Sequence, residues 1–175
     1  MIAVTDRPRI GVSACLLGER VRYDGGDKRN AWLVEELGPQ VEWVPVCPEV
    51  EAGFGTPREP MQLVRSPHPF ERAVAMLTTT RPRPDLTAAL QAFSARRVEE
   101  LTAGGLNGYV LKAGSPSCAI LSTGDVDGPG LFAEALMRRL PGLPVADEQQ
   151  LADPDGRRRF VERVVAHHAD SKVAR

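Results

Sequence analysis

Cys15, Cys47 and Cys118 are the whole cysteine complement of this chain, and each sits just beyond an apolar run that reads as a buried strand. Thiolates are soft metal ligands. Three of them converging on one centre stop one short of the four that close a structural zinc site or an ordinary iron–sulfur cluster. A position left open in that way is available to substrate, so the pattern points to chemistry rather than to scaffolding. Taken singly, each cysteine reads better as a small buried hydrophobe. Together they read differently, because all three occupy post-strand loops crowded with Gly, Pro and polar residues, where a packing cysteine has little reason to be. Zinc, copper(I) and iron–sulfur clusters all accept thiolates. A zinc site usually recruits a His as well, yet His68 lies in a Pro-flanked loop and His167 and His168 fall in the last predicted helix, none at ligand spacing. Iron–sulfur is the better match.

The elements that must position these loops follow from hydrophobic pattern and turn chemistry. Arg9 to Ala14 reads as a first buried strand ending at Cys15. Asn30 can cap a helix over Ala31 to Leu37, with Trp32, Leu33 and Leu37 inward and Gly38-Pro39 as its stop. Val41 to Val46 reads as a second strand, with Pro45 near its end, and Cys47-Pro48-Glu49 follows at once. From Glu51 to Phe70 the Gly- and Pro-rich composition predicts a long irregular functional loop or lid. Ala73 to Thr78 fits an edge strand or hairpin arm. Asp85 or Thr87 caps a long helix through Thr102, with Leu90, Phe93, Val98 and Leu101 buried and Gly104-Gly105 at its end. Gly108 to Lys112 is a third strand leading to Cys118. A helix from Gly130 to Leu140, a strand at Val145-Ala146 and a closing helix from about Asp155 to Ala169 complete the alternation. This pattern predicts an α/β chain, a three-layer Rossmann-like or flavodoxin-like fold with a mostly parallel sheet. In such a sheet the ligand site lies beyond the carboxyl ends of the strands, where all three cysteines fall. A cysteine placed before its strand would lie about 15–20 Å away on the opposite edge.

Three separated blocks then resemble a known family. Ile10 to Glu19 with Val21-Arg22-Tyr23-Asp24-Gly25, then Val46-Cys47-Pro48-Glu49-Val50, then Lys112 to Cys118, are similar to the signature blocks of the DUF523 family, which includes the thiouracil desulfidases. The likeness runs through Gly53 to Pro60 and Asp85-Leu86-Thr87 and covers roughly Arg9 to Leu140. Gly55, Gly114 and Ala119 depart from the expected pattern, which bears on pocket shape and not on the cluster ligands. The resemblance implies that Cys15, Cys47 and Cys118 bind a 4Fe-4S cluster with one open iron site, which coordinates the thiocarbonyl sulfur of a small thiolated pyrimidine. It implies that Glu49 is the carboxylate that activates water and Ser115 its polar helper, with sulfur leaving as hydrogen sulfide and no net redox change. The iron–sulfur assembly machinery is the implied partner for loading. Thiolated tRNA and thionucleosides are the alternative substrates; larger relatives that act on thiolated RNA bases carry an additional C-terminal domain, so for this shorter sequence the expectation is a small thiolated base over RNA.

The bulk properties agree with that picture. The 175 residues predict a single domain, 1–175, able to bury a core without disulfides. With 42% hydrophobic and 26% charged residues and no long apolar run, the expectation is a soluble protein with no membrane partner, in the reducing cytoplasm. The net charge of −1 disfavours strong non-specific RNA binding, although Arg157, Arg158, Arg159 and Arg163 cluster on the last helix beside a stripe of Phe160, Val161, Val164 and Val165. A non-enzymatic cluster carrier or redox sensor is the other alternative, and a carrier has no need of Glu49. A dinucleotide-binding domain lacks its Gly-x-Gly-x-x-Gly after the first strand. Arg22, Tyr23, Asp24, Arg58 and Lys112 are expected around the pocket, either positioning substrate or forming loop salt bridges such as Asp24 with Arg58.

Overall fold

A computed structural model of the chain describes residues 7–65, 74–78, 84–123 and 126–173. The strands and helices, in chain order, are β1 (Arg9–Ser13), β2 (Glu42–Val46), α1 (Pro48–Glu51), β3 (Met61–Arg65), β4 (Val74–Thr78), α2 (Thr87–Ala103), β5 (Gly108–Leu111), β6 (Ser122–Thr123), β7 (Val126–Asp127), α3 (Leu131–Arg139), β8 (Val145–Asp147) and α4 (Pro154–Val173). The central sheet has four strands in the order β2-β1-β5-β8, all parallel. Chain order reverses between β1 and β5, which opens a crevice at their carboxyl ends.

Side chains alternate across this sheet and feed two cores. Ile10, Val12 and Val110 point to one face, where Leu33, Leu37, Phe160 and Val164 meet them from the helix at Trp32–Leu37 and from α4. Tyr109 and Leu111 point to the other, against Phe93, Leu90, Phe132 and Leu136 of α2 and α3. Gly11 lies opposite Tyr109 in the register, and a Cβ there would fall 2.2 Å from the Tyr109 ring, so the missing side chain makes room for the aromatic. Helices on both faces of a mostly parallel sheet give the expected three-layer α/β/α architecture.

Pro45 is accommodated because β2 is an edge strand, paired only to β1. Asn30 does cap the following turn, its Oδ1 accepting the Leu33 N–H at 3.1 Å, but Trp32–Leu37 winds as a π-helix and the chain continues through a 3-10 turn, Gly38–Gln40, before stopping. Leu33 and Leu37 are buried, and Trp32 is only partly so, covered by the Arg157 guanidinium at 5.1 Å. Asp85 accepts both the backbone N–H and the hydroxyl of Thr87 at the start of α2.

The predicted irregular stretch from Glu51 to Phe70 needs correcting. Met61–Arg65 within it is a strand that pairs antiparallel with β4. Its alternation is masked in sequence by flanking Gly and Pro, and Leu63 alone is its fully buried side chain among those described. Residues 66–70, with His68, lie outside the described residues. The short β6–β7 hairpin was not anticipated, being only two residues per arm. The α4 stripe is also narrower than expected: Phe160 and Val164 are buried, whereas Val165 is 56% exposed. Among the described residues no helix is long and apolar enough to cross a membrane.

Candidate active site

β1 delivers Ser13 and then Cys15 to the carboxyl edge of the sheet. The chain tightens into a 3-10 turn over Ala14–Leu17 and reverses at Gly18, whose φ of 95° is a left-handed conformation suited to glycine. The loop folds back, and Lys28 donates its N–H to the Cys15 carbonyl at 2.9 Å. β2 ends at Val46, and Cys47 is the residue that caps α1, with Pro48 at the first helical position. One turn of helix then turns Glu49 inward, where it is only 7% exposed.

Cys118 arrives from β5 through the loop of residues 112–118. Ser115 Oγ accepts the N–H groups of Ser117 and Cys118, each at 3.2 Å, which ties the turn that carries the thiol. The first N–H groups of α3, which have no partner within their own helix, are taken up by this loop: Leu131 donates to the Pro116 carbonyl, and Phe132 and Ala133 to that of Ser117. Gly130 allows the approach, since a Cβ there would lie 2.4 Å from the Ser117 carbonyl carbon and 2.6 Å from its oxygen. Both neighbours are backbone and neither can swing aside. Gly130→Ala is therefore expected to destabilise the metal-free protein by about 1–3 kcal/mol, read as a lower urea midpoint with an unchanged slope.

All three cysteines line one cavity of about 320 Å³ at this edge, together with Glu49, Ser115, Arg22, Tyr23, Arg58 and Lys112. That volume is in the range of small-molecule sites. Cys15 and Cys118 are buried and Cys47 partly so, and none forms a disulfide. Burial pushes the Cys15 thiol up to about 11, with Cys47 nearby adding to the effect. Burial raises Cys47 and Cys118 as well, the latter against a hydrogen bond from Ser13. A nucleophilic cysteine needs its thiolate stabilised, and these surroundings do the reverse. A bound metal supplies the missing positive charge and displaces the proton, so the three thiols suit a ligand role. Among the described residues no three His, Cys, Asp or Glu side chains draw together closely enough to hold a metal ion, so the thiols face one cavity without meeting at a point.

Glu49 is held from both sides. Arg58 donates to its Oε2 through Nε at 2.8 Å and through Nη2 at 2.5 Å, and Ser117 donates its hydroxyl to Oε1 at 2.7 Å. The anticipated Asp24–Arg58 bridge is thus absent: Arg58 is spent on Glu49 and on the carbonyls of Val21 and Gly55, while Asp24 faces Arg22 at 3.7 Å and does not line the cavity. Lys112 pairs with Glu148 at 2.6 Å. Two participants escaped the sequence reading. Ser13 ends β1, where alternation alone does not show that its hydroxyl faces inward. The resemblance implies Ser115 as the polar helper, yet Ser117 is the hydroxyl that touches Glu49. Their signal lay in position next to a cysteine or a strand end, which spacing alone does not rank.

Other predicted groups lie elsewhere. His168 Nδ1 is 3.1 Å from Asn107 Oδ1, far along α4 from the thiols in sequence and absent from the cavity wall. The arginine cluster on α4 is largely committed: Arg157 donates to the Leu151 carbonyl, Arg158 pairs with Asp155 and Glu162, and Arg159 with Asp153.

The chain is 28% identical over 149 residues to the uncharacterised protein YbbK of Bacillus subtilis (strain 168), covering 81% of this chain and 97% of that protein. It is similar in structure to a 4Fe-4S-dependent thiouracil desulfidase, TudS (DUF523Vcz), with a TM-score of 0.68 and 32% identity over 83% of this chain and 94% of that one. The family model for 2-thiouracil desulfurase matches residues 10–148, a span that holds every cysteine, Glu49 and the strands that carry them. The chain belongs to the 2-thiouracil desulfurase family.

Proposed function

We propose that the protein is an iron–sulfur-dependent desulfidase that hydrolyses a thiolated pyrimidine such as 2-thiouracil to the corresponding uracil, with release of hydrogen sulfide. The observation that carries this reading is the single cavity shared by three otherwise unpaired thiols and a buried carboxylate. Cys15, Cys47 and Cys118 would hold a 4Fe-4S cluster. One ion at about 2.3 Å from each sulfur would need the thiols gathered at one point, whereas a cluster gives each thiolate its own iron, which suits thiols spread around a shared cavity. When bound, the cluster supplies a thiophilic Lewis acid, because three protein ligands leave one of its four irons free to polarise a thiocarbonyl.

The remaining work belongs to the chain. Glu49 accepts a proton from the water that adds to the thiocarbonyl carbon, and its burial keeps that carboxylate out of bulk solvent. Ser115 lines the cavity, and since its oxygen accepts two backbone N–H groups, its own hydrogen remains to donate to the bound molecule. Tyr23, Val21, Pro60 and Met61 give the cavity an apolar wall for a flat ring. The overall balance is thiocarbonyl plus water giving carbonyl plus hydrogen sulfide, so no electron donor is needed.

Anaerobic reconstitution with iron and sulfide, followed by incubation with 2-thiouracil, tests the proposal. Uracil and sulfide are expected in equal amounts, with oxygen from labelled water in the new carbonyl. A cluster-loaded protein that releases neither from thiolated bases or nucleosides would overturn it.

A further inference from the structure

Arg58 does more than neutralise a buried charge. Its side chain is 8% exposed, and three of its partners, Glu49, Val21 and Tyr23, line the cavity. Nε and Nη2 both reach Glu49 Oε2, while Nη1 donates to the carbonyls of Val21 and Gly55 at 2.9 Å each. The Arg58 backbone N–H donates to the Tyr23 carbonyl. One guanidinium therefore ties the loop after β1, the single turn of α1 and the loop before β3 into a fixed frame. The Val21 carbonyl that it holds also lies 3.8 Å from Cys47 Sγ.

The lone pairs of Glu49 can be counted. A carboxylate offers about four acceptor positions. Two, on Oε2, are taken by Arg58, and one, on Oε1, by Ser117. One position is left, on Oε1, of a side chain that lines the cavity. We infer that Arg58, with Ser117, is a positioning residue that fixes the Glu49 carboxylate so that its single remaining acceptor position serves the reacting water. The inference rests on the reading of Glu49 as the base. A planar fork sets the direction of its partner as well as its charge, which a lysine ammonium does not. Misplacement by about 1 Å can cost about 10²-fold in rate, so the fork acts on turnover rather than on binding.

The test is a double-mutant cycle on the cluster-loaded enzyme with 2-thiouracil as substrate. Arg58→Lys is expected to lower kcat by about 10- to 100-fold with KM within about twofold, and to change the residual single-turnover rate of Glu49→Gln by less than about twofold. Iron content should be unchanged. The infrared carboxylate stretch of Glu49, assigned by its loss in Glu49→Gln, should shift in Arg58→Lys with or without the cluster. If the lysine variant fails to fold, Ser117→Ala, which leaves the bonds to Val21 and Gly55 in place, carries the same cycle from the other oxygen. Equal losses in both backgrounds, or a raised KM with kcat intact, would overturn the inference. Normal turnover by Glu49→Gln would instead remove the base, and the infrared shift would still decide whether Arg58 fixes the carboxylate.

Discussion

Cys15→Ala, Cys47→Ala and Cys118→Ala should each yield a folded, colourless protein with no desulfidase turnover. The three thiols come from three different loops, and the described walls of the cavity offer no spare cysteine or histidine to replace a lost one. Removing one sulfur from a buried site leaves a void of only one atom, which costs about 1 kcal/mol, well inside the stability of a domain this size. Folding should therefore survive where cofactor binding does not. Iron and acid-labile sulfide per chain, the visible absorbance and sulfide release are the measurements, with far-ultraviolet circular dichroism as the control for fold. A variant that kept its full brown absorbance would remove that cysteine from the ligand set.

Glu49→Gln should separate the cofactor from the chemistry. The amide is close to the carboxylate in shape, and nothing places Glu49 among the proposed ligands, so iron content is expected to match the parent. Its single carbonyl oxygen cannot accept from both Arg58 and Ser117 and still take a proton from water. Loss of a general base costs about 10²–10⁴-fold, and kcat should fall by that order with KM changed little. Steady-state release of sulfide reads the rate, and equilibrium binding of uracil confirms that the pocket is intact. Full activity in this variant would mean that another group deprotonates the water.

The layers of the fold were legible because their signals are local. Short apolar runs within Arg9–Ser13 and at Gly108–Leu111 mark strands buried on both faces, and the spacing of Leu90, Phe93, Val98 and Leu101 marks one face of α2. The edge of the sheet at which the thiols gather was legible too, since it needs only their order after each strand. What escaped depends on partners distant in sequence. Whether Arg58 faces Glu49 or Asp24 is decided by the path of two loops, and a list of charges cannot choose between them. Which of Ser115 and Ser117 meets Glu49 is likewise set by the path of the loop: Ser115 Oγ turns back on its own backbone, and the Ser117 hydroxyl reaches the carboxylate. The strand Met61–Arg65 exists because β4 lies beside it, not because its own residues demand extension.

The placement of β5 beside β1 also dictates an order of events during synthesis. A chain lengthening by about 5–20 residues per second exposes Cys15 and Cys47 for several seconds before Cys118 has been made. No shorter fragment owns the third wall, and the parallel pairing that sets it in place joins segments far apart along the polypeptide, which is the slow kind of contact. If the three thiols hold the proposed cluster, the complete ligand set exists only once the sheet has closed.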